Sequence, residues 1–508
     1  MFGFIDNFLD KTTMYRLLLY YLIGLLIAAF GLSLAGDLSF GAKYLVISTG
    51  ILWVACYVIN KIFAWFLDVP TNPESTHVTA LILALIIPPM SSLYELNITF
   101  LLAAAGLAIA SKYVINIKNK HLFNPAAIAV ALTALGPKQS ANWWVGATAL
   151  LPFVLIGGFL LVRKLRRWRM VLTFFAASVV ATILYNLIGH SNALTALHKT
   201  FSDSALFFLG FVMLTEPQTM PPTSKKQVWY GALVGFLLPP QAHIFSFYFS
   251  PELALITGNI FSYIVSPKER HVLRLVQRVR KTADIIDFSF TSDHKLAFEP
   301  GQYMEFTIPH PHADSRGVRR YLTIASSPTE PELHLGVKFY EPSSTFKKAM
   351  RAMKPEVPVA GAQLMGDFVL PKDKKQKIAF IAGGIGITPF RSMAKYLTDT
   401  KQQRSVCMLY AARTPKDFAY QEIFEEARKS FGMAVTYVAA RPDASGSSVG
   451  VRPGYITDAM IREVIPDYKE RLFYISGTHQ MVATMQQRLH EIGVPSHQVK
   501  VDFFPGYA

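Results

Sequence analysis

Cysteine is almost missing from this chain: two occur in 508 residues, Cys56 in an apolar run and Cys407 in an expected strand. Two thiols so placed build neither a disulfide framework nor a cysteine-ligated cluster, and no metal site is expected. Charge is scarce as well, but only in one part. Residues 1–266 carry 16 basic and 9 acidic side chains, whereas residues 267–508 carry 34 basic and 25 acidic ones. The histidines of the first part, His77, His121, His190, His198 and His243, are not spaced as haem-ligating pairs on facing spans. No short apolar segment with a small-residue cleavage site opens the chain, so no signal peptide is expected. The net charge of +16 would suit nucleic acid. However, the basic residues of the first part lie in loops between apolar runs, so a membrane surface is sufficient and no nucleic-acid partner is expected.

What is present is a series of apolar runs long enough to cross a bilayer, about 20 residues each. They lie near 14–36, 43–66, 75–94, 96–114, 144–162, 170–189, 226–247 and 251–266, with shorter ones near 124–136 and 204–215. Counted together they predict about ten crossings. The cluster Arg163, Lys164, Arg166, Arg167 and Arg169 marks the cytoplasmic side. Stepping outward span by span places Lys118, Lys120, Lys225, Lys226 and Lys268 there too, with both termini and everything beyond residue 267 cytoplasmic. The expectation is a multi-pass protein of a bacterial-type cytoplasmic (inner) membrane. The rise in charge near Ser266-Pro267-Lys268 marks a boundary, and the length asks for more than one core. Three domains are expected, at 1–266, 267–372 and 373–508.

Both short runs abut a polar, proline-containing turn: HLFNPAAIAVAL at 121–132 and FVMLTEPQTMPPT at 211–223. Interrupted apolar segments in corresponding places suggest an internal repeat with broken helices near the midplane. Glu216 is a functional candidate there, as intramembrane carboxylates are by default; a cap or loop residue at the water interface remains the alternative. Asn124, Thr215, Glu216 and Thr219 form the candidate membrane site, for a flavin, a quinone or an ion.

Beyond residue 270 the pattern changes. Alternating runs such as LRLVQRV, DIIDFSF, QYMEFTI and ELHLGVKF, separated by turn residues, predict an antiparallel β-barrel. Ser344 and Thr345 open a helix there, as a simple N-cap or as phosphate-binding groups. Strands near 378–382, 405–411, 434–440, 472–476 and 498–503 then alternate with helical stretches, the pattern of a parallel α/β domain. After its first strand comes GGIGITP at 383–389, whose glycines admit a pyrophosphate while Thr388 caps a helix with Pro389 in its first turn. It lacks the third glycine of the dehydrogenase fingerprint.

RYLTIASSP at 320–328 resembles the flavin strand of the ferredoxin-NADP reductase superfamily, and GGIGITP resembles its nucleotide loop. The resemblance covers about 270–508. It implies FAD held by Arg320, Tyr321, Leu322, Thr323, Ser344, Thr345 and Phe504. Leu322 stands where the family usually has Tyr, so either Leu322 packs on the flavin ring or Tyr321 does so in a slipped register. NAD(P)H is implied at Gly383, Gly384, Gly386, Thr388, Pro389, Ser476, Gly477 and Met481, with Thr323 and Ser476 as the catalytic hydroxyls. Ser476 replaces the family's cysteine. Arg413 either meets a 2′-phosphate or faces solvent, so NADH and NADPH both remain open.

The segments STHVTALILALIIPP, HLFNPAA and FVMLTEPQTMPP resemble the NqrB/RnfD family, membrane proteins of the sodium-translocating NADH:quinone reductase and of the Rnf complex. That implies ten helices in two related halves and a membrane flavin relay. In NWWVGAT at 142–148 it implies FMN attached through phosphate to Thr148 by a flavin-attaching enzyme; small-residue helix packing explains Gly-Ala-Thr equally well. Together the resemblances lead us to expect a membrane-bound flavoprotein oxidoreductase. Electrons would pass from cytoplasmic NAD(P)H through FAD and FMN to a quinone or an extracytoplasmic carrier, with ion coupling open. The alternative is a solute or ion transporter regulated by nucleotide.

Overall fold

Thr13 accepts the Arg16 amide and so starts the first long helix, α1 (Met14–Ala35). Its neighbour α2 spans Ala42–Phe66. The structure is a computed structural model; it describes all residues except 1–4, 6–8, 10–11, 68–72, 91–96, 118–119, 137–138, 267–268, 315–316, 356, 442–449 and 505–508. The chain divides into two compact units, Met1–Glu269 and Arg270–Ala508.

The first unit continues with α3 (Pro73–Ile86), α4 (Asn97–Val114), α5 (Pro125–Leu135), α6 (Leu151–Leu165), α7 (Trp168–Ile188), α8 (Ala193–Ser202), α9 (Leu206–Phe208), α10 (Ser224–Leu237) and α11 (Pro251–Val265). Outward residues such as Ile27 and Trp65 are apolar and exposed, as a lipid-facing surface requires. Glycines let α7 and α10 approach closely: a Cβ on Gly231 would lie 2.5 Å from the Met170 carbonyl oxygen, and one on Gly235 2.3 Å from that of Phe174. Small residues at such a seam are what draws helices together in lipid.

Several expected spans are shorter than their apolar runs. Helix α3 stops before Pro88-Pro89 and α10 before Pro239-Pro240, because proline lacks an amide and clashes with the preceding turn. The run at 144–162 begins with two 3-10 turns, Trp144–Gly146 and Thr148–Leu150, before α6 starts. Helix α9 continues as a π-helix, Leu209–Met213. Beside the ten expected crossings, the described residues show four stretches of full span length, α1, α2, α7 and the turn Thr148–Leu150 continued into α6, and four shorter apolar helices. Helix α8 was not expected; none of its residues is buried.

The second unit opens with β1 (His271–Arg280), β2 (Ile285–Ser292), β3 (Tyr303–Thr307), β4 (Arg319–Thr323) and β5 (Leu333–Lys338), then α12 (Thr345–Ala352) and β6 (Val359–Met365). These strands form one antiparallel sheet of order β4-β3-β6-β1-β2-β5. It curls until its edges meet, where the Ala325 amide beyond β4 donates to the His334 carbonyl in β5 at 2.8 Å. Alternate residues, among them Leu273, Phe288, Met304, Phe306 and Leu335, fill the barrel.

The α/β part follows: β7 (Ile378–Gly383), α13 (Thr388–Asp399), β8 (Val406–Ala412), α14 (Gln421–Phe431), β9 (Ala434–Ala439), β10 (Val451–Pro453), α15 (Asp458–Val464), β11 (Leu472–Thr478), α16 (His479–Glu491) and β12 (Val499–Phe504). Its sheet is parallel throughout, in the order β10-β9-β8-β7-β11-β12. The order reverses beside β7, and in open α/β sheets ligands bind at such a switch point, beyond the strand carboxyl ends.

Candidate flavin and nucleotide site

Strand β4 pairs with β3 so that Thr323 faces Tyr303, Leu322 faces Met304, Tyr321 faces Glu305 and Arg320 faces Phe306. Directly opposed residues share a face of the sheet. Arg320 and Leu322 thus lie on the face of Met304 and Phe306, and Leu322 packs partly buried against the barrel core. Tyr321 and Thr323 lie on the other face. Tyr321 is 38% exposed and its ring meets that of Tyr303 edge-on at 5.7 Å; Thr323 is buried.

The Arg320 guanidinium sits 5.1 Å above the Phe346 ring and donates to the Gly317 and Arg319 carbonyls at 3.3 and 2.6 Å. It points toward the N-terminus of α12, where its Nη2 lies 3.9 Å from Asp314. There Ser344 accepts the Lys347 amide at 3.3 Å as N-cap. Asp314 accepts the Thr345 amide at 3.1 Å and donates its own amide to the Thr345 hydroxyl at 3.0 Å. Arg320, Ser344 and Thr345, drawn from separate sequence motifs, are brought to one helix N-terminus, and the same donors suit a phosphate. Asp314 was missed, since a lone aspartate in a polar loop carries no periodic signal.

The glycine loop follows β7 as a 3-10 turn, Gly384–Ile387. A Cβ on Gly386 would lie 2.4 Å from the Ser476 carbonyl oxygen and 2.6 Å from the Gly477 nitrogen, and one on Gly383 would lie 2.0 Å from the Met481 sulfur. The loop therefore meets the end of β11 backbone to backbone at Gly386 and the Met481 thioether of α16 at Gly383. Pro389 lies in the first turn of α13 as expected. Thr388 does not cap that helix: it is already helical, and its hydroxyl donates to the Ile385 carbonyl at 3.2 Å. Ser476 is fully buried, and its hydroxyl has no hydrogen-bond partner among the described residues. Phe504 pairs through its backbone with Thr478; its side chain lies outside the described residues, as do residues 505–508. Gly384, where an added Cβ would meet nothing within 4 Å, and a buried hydroxyl without a partner among the described residues beside the loop fit a bound dinucleotide.

Barrel and α/β part also meet through Tyr420, whose hydroxyl donates to Asp287 at 2.9 Å, while His334 Nδ1 lies 2.8 Å from the other carboxylate oxygen. Burial first, and the neighbouring carboxylate second, push Tyr420 well above the ordinary tyrosine range.

In the first unit the two proline-containing segments meet. The Asn124 side-chain amide donates to Glu216 at 2.7 Å, and the Thr219 hydroxyl approaches the same oxygen at 3.4 Å. The Asn124 backbone amide donates to Asn259 at 2.9 Å, and Asn259 donates to the Tyr230 hydroxyl at 3.0 Å. Asn259 and Tyr230 were missed because they lie in stretches that read only as span. Thr215 turns its hydroxyl to the Phe211 carbonyl at 2.7 Å. A small pocket of about 40 Å³ is lined by Tyr15, Ser75, Thr79, Asn124, Thr215 and Glu216 among others. Thr148 is exposed and donates to the Ser202 carbonyl at 2.7 Å, while Gly146 packs on the backbone of Ser204.

Residues 140–240 match the NQR2, RnfD, RnfE family. Residues 380–487 match the oxidoreductase NAD-binding domain. One polypeptide thus carries matches to two family models. A glycine betaine monooxygenase reductase subunit from Chromohalobacter salexigens is 28% identical over 247 residues, 47% of this chain and 66% of its own length. A flavohemoprotein from Bacillus subtilis is 22% identical over 243 residues, 47% of this chain and 60% of its own length. The chain therefore spans less than two thirds of either relative. The FAD/NAD-binding domain of a nitric oxide dioxygenase from Vibrio cholerae is 18% identical, covering 46% of this chain and 98% of that domain, at a TM-score of 0.42.

Proposed function

We propose that this protein is a membrane-bound NAD(P)H-dependent flavin oxidoreductase, taking reducing equivalents in at its second unit and passing them out through its first. The observation that carries this reading is the fully buried Ser476 hydroxyl, without a hydrogen-bond partner among the described residues, packed against the glycine loop at Gly386. Bound FAD would supply the conversion of a two-electron hydride donor into one-electron transfers. Arg320, Ser344 and Thr345 would hold its pyrophosphate, with Tyr321, Leu322 and Thr323 along the ring. Residues 383–389, with Ser476, Gly477 and Met481, would hold NAD(P)H and exclude water from the face where hydride leaves.

In the first unit, the exposed Thr148 hydroxyl supports a phosphoester to FMN, and the polar cluster of Asn124, Thr215, Glu216 and Thr219 supports a flavin, quinone or ion site. The acceptor would be a quinone or an extracytoplasmic carrier, in a bacterial-type inner membrane with the second unit cytoplasmic. The same cluster favours a second reading, a nucleotide-regulated solute or ion transporter, which uptake into proteoliposomes with and without NADH separates. The deciding experiment is the visible spectrum and flavin content of the purified protein, before and after NADH or NADPH and an added quinone. Bound FAD and a second flavin, both bleached by nucleotide and reoxidised by quinone, are expected; a protein that binds no FAD ends the reading.

A further inference from the structure

Helix α13 begins where the glycine loop ends, and one face of it is fastened to the segment that continues the flavin strand. Arg391, buried, forks onto Glu330: Nη2 donates to Oε1 at 2.7 Å and Nη1 to Oε2. Nη1 also donates to the Ala325 carbonyl at 3.1 Å. The Ser392 hydroxyl donates to the Ser326 carbonyl at 2.6 Å. One turn before its end, the helix places Lys395 2.8 Å from Asp399, which accepts the Thr329 hydroxyl at 2.5 Å. Glu330 accepts the Ser327 amide at 2.6 Å as well. On the opposite side, the Ala325 amide donates to the His334 carbonyl and the His334 amide to the Ser326 hydroxyl, at 2.8 and 3.0 Å. Residues 325–330 are thus gripped between barrel strand β5 and α13.

A buried ion pair is poor evidence of stability, because desolvating both charges offsets most of their attraction. Its bidentate geometry does fix direction. An arginine–glutamate fork at this place is therefore better explained by placement than by cohesion. We infer that α13 is a rod that sets the position of the flavin strand against the nucleotide loop, with Arg391 and Glu330 as positioning residues that touch neither ligand. The inference rests on the NAD(P)H-to-FAD reading above. One rigid element carries the loop at its N-terminus and the clamp two and three residues beyond Pro389, so little play separates the two. Hydride transfer is steep in such placement: a displacement of about 1 Å costs about 100-fold.

The test uses full-length protein and the variants Arg391→Met, Arg391→Lys, Glu330→Gln and Ser392→Ala. Flavin bleaching by NADH is measured in single turnovers per bound FAD, with FAD content and hydrogen exchange over 324–330 and 343–352 measured alongside. Arg391→Met and Glu330→Gln are expected to slow bleaching about 10- to 100-fold, with FAD content within about twofold of the parent. Exchange is expected to quicken over 324–330 and stay unchanged over 343–352, with Arg391→Lys intermediate, since it keeps charge but loses the fork. Bleaching per FAD within about twofold of the parent in both variants overturns the inference. Where Arg391→Met does not retain FAD, Arg391→Lys and Ser392→Ala decide by the same criterion. If the parent itself is not bleached by NADH or NADPH, the functional reading fails, and unchanged exchange over 324–330 in the variants then overturns the placement role separately.

Discussion

Asn124 and Glu216, 92 residues apart, are joined by a 2.7 Å hydrogen bond, so the two proline-interrupted segments of the first unit form one polar locus. A carboxylate inside an apolar helical unit is costly to keep and is retained where it serves a function. Glu216→Gln keeps an acceptor for the Asn124 amide and removes the charge. Thermal stability should stay the same or rise, NADH-driven reduction of ferricyanide by the second unit should change less than about twofold, and NADH:quinone activity should fall about 10-fold or more. Unchanged quinone activity would remove Glu216 from the pathway.

The two loop glycines should differ in tolerance. At Gly386 a new Cβ meets backbone atoms of Ser476 and Gly477, whereas at Gly383 it meets the thioether of Met481. A methionine side chain moves aside more readily than a central strand does. Gly386→Ala should therefore cost about 1–3 kcal/mol of stability and most NADH affinity, and Gly383→Ala clearly less. Chemical denaturation and nucleotide titration check the ranking; equal effects would contradict the close approach.

Removing the Ser476 hydroxyl should separate stability from function. A buried polar group without a partner costs about 1–3 kcal/mol, and this hydroxyl is such a group among the described residues. Ser476→Ala should be as stable as the parent or more so, yet bleach about 10-fold more slowly with NADH. A variant that loses stability and keeps its rate would show the hydroxyl to be structural.

Alkaline pH should reveal Cys407. Burial raises its thiol from 9.0 to about 11, because the charged thiolate is poorly solvated there. The native state holds this proton more tightly than the unfolded chain. The stabilisation is therefore complete below about pH 9 and is lost as pH rises toward about 11. Against Cys407→Ala, the parent should show the steeper fall in unfolding free energy across that interval. Parallel curves would mean that the thiol is not held protonated.

Local patterns carried much of the architecture. The alternation of LRLVQRV and DIIDFSF produces β1 and β2, and GGIGITP turns from β7 into α13 where the glycines and Pro389 demand it. Side-chain period and turn chemistry act over a few residues, so a sequence displays them directly. Helix ends were misjudged where hydropathy outran proline, as at Pro88 and Pro239, and α8 escaped notice because ALTALHKTFS is too short to read as a span.

By itself, then, the sequence determined the division into an apolar helical part and a charged barrel-plus-α/β part, and the places of the glycine loop at 383–389 and of strand β4. Only the tertiary structure decided that Asp314 meets Thr345, that Asn259 and Tyr230 stand behind Asn124, and that Arg391 grips Glu330. Each of these joins residues with no local period in common. They depend on strand register and helix packing across dozens of residues, which no short window of sequence contains.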